Sequence, residues 1–438
     1  MGCMSHYRES LLAFINTSTS PFHVVLKSEA MLHDAGFEEL PWDGKWYIKE
    51  GGAYYVNIFG STLMAFRVGK QLRNHLRIAS AHTDFPTIRI KPNPSMKKES
   101  YLSLNVEMYG GLIQQSWLDR PLSIAGKVVV RTEEPFAPRT VLVDFKEPLL
   151  VIPSLAIHMN REVNEGVKLN RQTHMLPLAS DDSKELSQSL EEQLKHADFE
   201  SLLANKIGAS KDEILFYELG VYPVEAGMAV GFYDEFINAP RLDNLTSVKA
   251  CLEGILGDES EEGLHMIALF DNEEVGSRTK QGAAGNLLPQ VLQRIYLAMG
   301  LSLEDVFEDQ SRGFMLSADV AHAYHPNYGE TCDPTNKPVL NGGVVIKYAS
   351  SQSYAGDAES VAVVKSLCAK HNIPCQVFVN RSDIVGGSTL GSISSAQLPM
   401  RTMDIGVPLL AMHSCRETMG AKDQESIERL MIAFFNEV

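Results

Sequence analysis

Basic residues are in short supply: 39 Lys and Arg stand against 55 Asp and Glu over 438 residues, a formal net charge of −16. Nucleic-acid binding wants a clustered Lys/Arg face to meet phosphate, so that class is set aside. Long apolar runs are missing too. The richest stretch, Leu149 to Ile157, is interrupted by Pro153 and falls well short of the roughly 18 residues a membrane span needs. The first residues show no charged start followed by an apolar core and a cleavage site, and position six is His6, where a myristoylation site wants Ser or Thr. Six cysteines (Cys3, Cys251, Cys332, Cys368, Cys375, Cys415) are scattered without CxxC spacing, which reads as reduced thiols and not as disulfides or a zinc–thiolate cluster. These absences predict a cytoplasmic protein with no membrane partner. There is no GxSxG elbow, and the glycine-rich run Asp383 to Ser392 lacks the GxxxxGK[ST] pattern of a phosphate cradle.

What is present is a chain able to bury real cores, with 44% apolar and 21% charged residues and no internal repeat or low-complexity tract. At roughly 150 residues per domain the length suggests two unequal domains. Ser20-Pro21 has the cap and first-turn proline of a helix start, and Gly36 closes that helix. Short apolar runs follow at Leu63–Val68, Leu76–Ala81, Met266–Phe270, Phe314–Leu316 and Val377–Val379. Helical spacings occupy Leu287–Met299, Ala358–Lys370 and Glu425–Phe435. Such alternation predicts an α/β fold with a mostly parallel central sheet covered by helices. The middle of the chain is β-rich, with runs at Gly126–Val130 and Val141–Phe145, then charged helix-like stretches from Asp181 to Leu194 and on to Lys206. The expected organisation is a discontinuous domain of residues 1–91 and 236–438, with residues 92–235 inserted as a second, β-rich domain.

Several acidic and histidine residues sit where apolar runs end. Ala81-His82-Thr83-Asp84 closes one run, and on a strand His82 and Asp84 would share a face, a metal-binding imidazole with a carboxylate to orient it. Asp271-Asn272-Glu273-Glu274 leaves another, and adjacent glutamates there project differently, so one can bind metal while the other handles a proton. Ser317-Ala318-Asp319 delivers a further carboxylate, Arg241-Leu242-Asp243-Asn244 precedes a helical pattern, and Leu409–Met412 runs into His413. Singly, each has a plainer reading: a water-facing strand end, a solvated turn, a helix cap for Asp243, a structural histidine. His322 and His325, just past Asp319, read as exposed loop histidines.

The set is what points to chemistry. Imidazole and carboxylate oxygen without thiolate suit zinc, cobalt or manganese. Three ligating carboxylates, a free glutamate and a hydroxide carry about −5, which two divalent ions at about +4 nearly match and one does not.

In order along the chain, these segments resemble the M18 family of metallopeptidases, the aspartyl aminopeptidases and their vacuolar aminopeptidase I relatives. The resemblance runs from Ser20-Pro21-Phe22-His23 through AHTD (81–84), YGG (109–111), WLDR (117–120), IPSLAIH (152–158), RLDN (241–244), DNEEVGS (271–277) and SAD (317–319) to His413-Ser414. It implies a discontinuous zinc-peptidase fold, an inserted assembly domain and a tetrahedral homododecamer. Residue by residue, it implies His82, Asp243 and Asp319 around one metal and Asp243, Glu274 and His413 around the other. Glu273 would be the general base, Asp84 the partner of His82, and His158 a histidine reaching a neighbouring subunit's site. Lys347, closing the apolar run Val344-Val345-Ile346, falls where the resemblance places a residue of the first side-chain pocket, with Tyr354 nearby as its hydrogen-bonding partner. Gly110-Gly111-Leu112 departs from the longer glycine run common after this tyrosine.

The implied function is a dinuclear metal aminopeptidase, zinc first among its metals, acting on peptides with a free N-terminus and preferring acidic first residues. The alternatives are a neutral or leucine-like preference, a related metal-dependent carboxypeptidase or deacylase, and a catalytically dead assembly particle.

Overall fold

The computed structural model describes residues 2–181 and 198–437, so most of the helix expected over Asp181–Leu194 lies outside the described residues. The chain forms two compact units. The first comprises Met1–Phe85, Gly227–Met412 and Arg416–Val438, and the second Pro86–Ala226 with His413–Cys415. The divisions fall earlier than the 91/92 and 235/236 boundaries read from the sequence, and strand pairing gives the reason. Strand Thr87–Lys98 is continuous and pairs from Thr87 with Tyr109 of the second unit's sheet, whereas Met228–Val230 pairs with Phe236–Ala239 in the first.

In the first unit, nine strands among the described residues lie in the order Glu38–Glu39, Ala53–Ile58, Thr62–Val68, Glu262–Phe270, Gln71–His82, Phe314–Ala318, Arg401–Gly406, Val344–Tyr348, Cys375–Val379. Pairings at the centre are parallel, joining Gln71–His82 to both Glu262–Phe270 and Phe314–Ala318. Period-two alternation sends each central strand's apolar residues to two separate cores. Leu76, Ile78 and Met266 pack beside helix Leu287–Ala298, while Ala79, Ala81, Ile267 and Leu316 pack beside helices Leu242–Leu256 and Asp423–Asn436. Burial on both faces makes this a sheet covered by helices, as the alternation predicts. Helix Pro21–Asp34 starts as its sequence dictates, with the Ser20 hydroxyl accepting from the His23 N–H and Pro21 in the first turn.

Among the described residues, the second unit's sheet has six antiparallel strands, ordered Arg139–Asp144, Leu122–Val130, Ile214–Pro223, Thr87–Lys98, Tyr101–Tyr109, Leu178–Asp181. Ile88, Leu104, Val128 and Leu219 form its core, and helix Phe199–Ile207 adds Phe199 and Leu203. Among the described residues no helix is long and apolar enough to cross a membrane.

Candidate active site

Three parallel strands deliver His82, the Glu273–Glu274 loop and Asp319 at or just past their carboxyl ends, where α/β sheets carry their sites. His82 is the last residue of its strand and is in register with Phe270, directly before the Asp271–Ser277 loop. The strand stops there, so Asp84 lies beyond the pleat, and the shared-face geometry expected for His82 and Asp84 does not apply. His82 Nδ1 instead lies 3.0 Å from the main-chain carbonyl of Asp84, and 3.5 Å from its carboxylate. That contact turns Nε2 toward Asp243 Oδ1 at 3.4 Å and Asp319 Oδ1 at 3.6 Å.

The Asp84 carboxylate has different work: Oδ1 accepts the N–H of Glu273 (3.0 Å) and Oδ2 that of Glu274 (3.1 Å). Asn272 and Gly276, at φ of 64° and 96°, bracket a single 3-10 turn over Glu273–Val275. Asp243 opens helix Leu242–Leu256 with non-helical backbone, and its N–H donates to Glu417 Oε2 at 3.0 Å. Glu417 is almost wholly buried and escaped the sequence reading; an acidic residue entering a short, otherwise uncharged strand was its only signal.

One ligand atom from each of His82, Asp243 and Glu274 lies within 4.8 Å of the others, so imidazole and carboxylate donors converge around Asp243 as metal binding requires. The electrostatics agree. Burial pushes the Glu273 carboxyl up to about 8, with Asp319, Asp84 and Asp243 adding to the rise against His82. Burial alone would depress His82, yet its contacts with Asp243, Asp319 and Asp84 hold it well above its ordinary value. The pocket is therefore short of positive charge, and imidazole plus carboxylate oxygens fit the divalent ion that would supply it.

Lys347 is buried, with Nζ donating to the Val320 carbonyl (2.8 Å) and 3.4 Å from Asp319 Oδ2. Burial disfavours its charge, but Asp319 and then Asp404 outweigh it and keep Lys347 above its ordinary value. Burial is the largest influence on Asp319 and opposes its ionisation, but Lys347 and His82 together overcome it and hold that carboxyl low. Tyr354, also buried, sets its ring 4.8 Å from the ammonium. Asp404, a second residue missed from sequence, is fully buried on strand Arg401–Gly406 and accepts from the Ala355 N–H (2.5 Å) and the Thr389 hydroxyl (2.8 Å). Thr389 lies within the glycine-rich run, and a side chain at Gly391 of that run would stand 2.5 Å from the Asp404 oxygens.

His413 belongs to the second unit, at φ 66°, with Nδ1 3.1 Å from the Gly111 carbonyl. A Cβ on Gly111 would come within 3.2 Å of that nitrogen, which accounts for glycine there. His158, in the same unit, is exposed on a turn that follows Ser154, whose N–H and hydroxyl both bond the Asp119 carboxylate (2.8 and 2.6 Å). Leu155, Ile157 and Met159 stand exposed around it. His322 is exposed against the Phe378 ring, and His325 packs on Tyr328.

The sequence profile of the family described as "Aminopeptidase I zinc metalloprotease (M18)" matches residues 14–435. The chain belongs to the M18 family. This M18 metalloaminopeptidase, a hydrolase of peptide bonds, is 45% identical over 435 residues to the probable M18 family aminopeptidase 2 of Clostridium novyi, with 98% of each chain covered. Among solved structures it superposes on a chain of the Ape4 and Nbr1 complex with a TM-score of 0.93 at 35% identity, covering 99% of this chain and 86% of that one. On the S. cerevisiae mApe1 dodecamer the TM-score is 0.82 at 26% identity, covering 98% and 96%. The family's zinc fits the thiolate-free donor set of this M18 enzyme.

Proposed function

We propose that this enzyme removes N-terminal residues, acidic ones preferentially, from unblocked peptides, using two divalent ions with zinc first and cobalt or manganese as substitutes. The observation that carries the reading is the double grip of Asp84 on the loop: it holds Glu274 near His82 and Asp243 and keeps Glu273 beside it in the same pocket. His82, Asp243 and Asp319 are assigned to one ion; Asp243 and Glu274, with His413 by family resemblance, to the other. When bound, the ions supply Lewis acidity toward the scissile carbonyl and acidify the attacking water.

Glu273 takes a proton from that water and returns it to the departing amine, a transfer that works best when donor and acceptor pKa values lie near the working pH. Asp84 orients the loop and the His82 ring. Lys347 and Tyr354 provide the cation and the hydroxyl for an acidic first side chain. The exposed apolar turn around His158 suits burial against another copy, which accords with a homododecamer of tetrahedral arrangement and with His158 serving a neighbouring subunit. A neutral preference is the second reading, favoured by the engagement of Lys347 with Asp319 and Val320.

A panel of Asp, Glu, Leu and Lys aminoacyl chromogens, assayed with each metal beside N-blocked analogues, tests this. Fastest turnover of Asp or Glu is expected; Leu leading would select the second reading, and turnover confined to blocked substrates would sink both.

A further inference from the structure

The Asp271–Ser277 loop does more than carry Glu273 and Glu274. Past Glu274, Val275, Gly276 and Arg278 form one wall of a cleft of about 580 Å³ that is open to solvent. The other wall is Ser388, Ser392 and Ile393, from the end of the glycine-rich run and the helix Leu390–Gln397 behind it. The cleft therefore begins at the residue after a candidate ligand. It continues into a segment for which phosphate binding was excluded and no other role has appeared.

The loop is fastened well enough to hold Arg278 there. Ser277 N–H donates to the Asn272 carbonyl (2.8 Å), the Thr279 hydroxyl to Asn272 Oδ1 (2.9 Å), and Lys280 caps the Phe59 ring at 3.6 Å. Among the described residues no ion pair or hydrogen bond engages the Arg278 guanidinium, which is exposed. Ser388, Thr389 and Asp404 connect the cleft's far wall to the surroundings of Lys347. Lys347 and Tyr354, next to Asp319, are sealed from solvent, whereas the region next to Glu274 is open. An aminopeptidase needs a closed place for one residue and an open path for the rest of the peptide.

We propose that this cleft receives the leaving side of the substrate, and that Arg278 pairs there with a carboxylate carried one to three residues beyond the scissile bond. Resting on the aminopeptidase reading, this adds a second specificity element on the opposite side of the cut bond. The range follows from chain geometry: Arg278 is four residues from Glu274, at most about 14 Å along the backbone, and an extended peptide spans about 3.3–3.6 Å per residue. Val275 and Ile393 supply apolar walls for the peptide, and the serine hydroxyls can bond its backbone.

The test uses the intact enzyme and C-terminally amidated peptides that share the best-cleaved first residue and differ only by Glu or Lys at the second, third or fourth position. The wild type should favour Glu at one of these positions by roughly three- to tenfold in kcat/KM, the strength of a partly exposed charge pair. Arg278→Ala should abolish that ratio and Arg278→Glu should invert it in favour of Lys. Ratios unchanged in both variants overturn the subsite and leave the aminopeptidase reading intact. An equal fall on an aminoacyl chromogen, which has no downstream residue, would assign Arg278 to loop geometry and also overturn it. A wild type that cleaves only N-blocked substrates removes both readings.

Discussion

The Asp84 carboxylate accepts the backbone N–H of Glu273, and its second oxygen takes the N–H of Glu274. A charged acceptor with both oxygens in use ties the acidic loop to the end of the His82 strand more firmly than a neutral one. Asp84→Asn keeps one acceptor oxygen and puts an N–H donor against the other amide. Turnover should fall roughly 10- to 100-fold, the usual cost of losing a partner behind the metal ligands, while the far-ultraviolet CD spectrum is retained. Wild-type kcat in the variant would show that the grip is dispensable.

Glu273→Gln tests the proton carrier separately from metal binding. A drop in kcat of about 10²–10⁴ is expected, the contribution of general acid–base catalysis, with divalent ions per chain unchanged by elemental analysis. Should turnover persist, another residue is the base. Should the metal leave with it, Glu273 is a ligand.

Lys347→Met removes the ammonium beside Asp319 and leaves buried carboxylates uncompensated in the metal-free enzyme. Breaking such a buried pair costs on the order of 3–5 kcal/mol, so the metal-free variant should melt well below metal-free wild type. The ratio of kcat/KM for Asp over Leu chromogens should collapse if Lys347 also reads the substrate. A stability loss with that ratio intact would make Lys347 a purely structural cation.

Glu428, on helix Asp423–Asn436, is buried, accepts from Gln424 Nε2 at 2.8 Å and lies 3.8 Å from Lys249 Nζ. Burial outweighs Lys249 and pushes its carboxyl up to about 7. An unfolded glutamate titrates near 4.3, so between about pH 4 and pH 7 the folded state binds more protons and stability falls as pH rises, then levels off. The cost reaches about 4 kcal/mol above pH 7. Glu428→Gln carries no such cost, so its melting temperature minus that of the wild type should grow from pH 4.5 to pH 7.5. Parallel curves would show that the carboxyl is not buried in solution.

Much of the site was legible because metal chemistry restricts residue types and α/β sheets restrict where those residues stand. His82, Asp243, Glu274 and Asp319 could each be located at the end of an apolar run or the start of a helix. The approach of His82, Glu274 and Asp319 follows from parallel strands in neighbouring positions, and that of Asp243 from the helix that packs on them. Glu417 and Asp404 could not be found this way, because their roles depend on contacts 174 and 49 residues away in the chain. Lys347 was visible as a lysine closing an apolar run, but its embrace by Asp319 was not.

By itself, the sequence determined the fold class and the family, since period-two and helical spacings and ordered motifs are local properties, and from the same motifs it proposed a thiolate-free donor set. Only the tertiary structure decided which atoms of Asp84 do what. The strand ends at His82, so the main-chain carbonyl of Asp84 meets the ring and its carboxylate is free to hold the Glu273–Glu274 loop. The same holds for Arg278. A lone arginine in a polar stretch carries no pattern, and it acquires meaning only because the fold sets the glycine-rich segment across from it and leaves open space between.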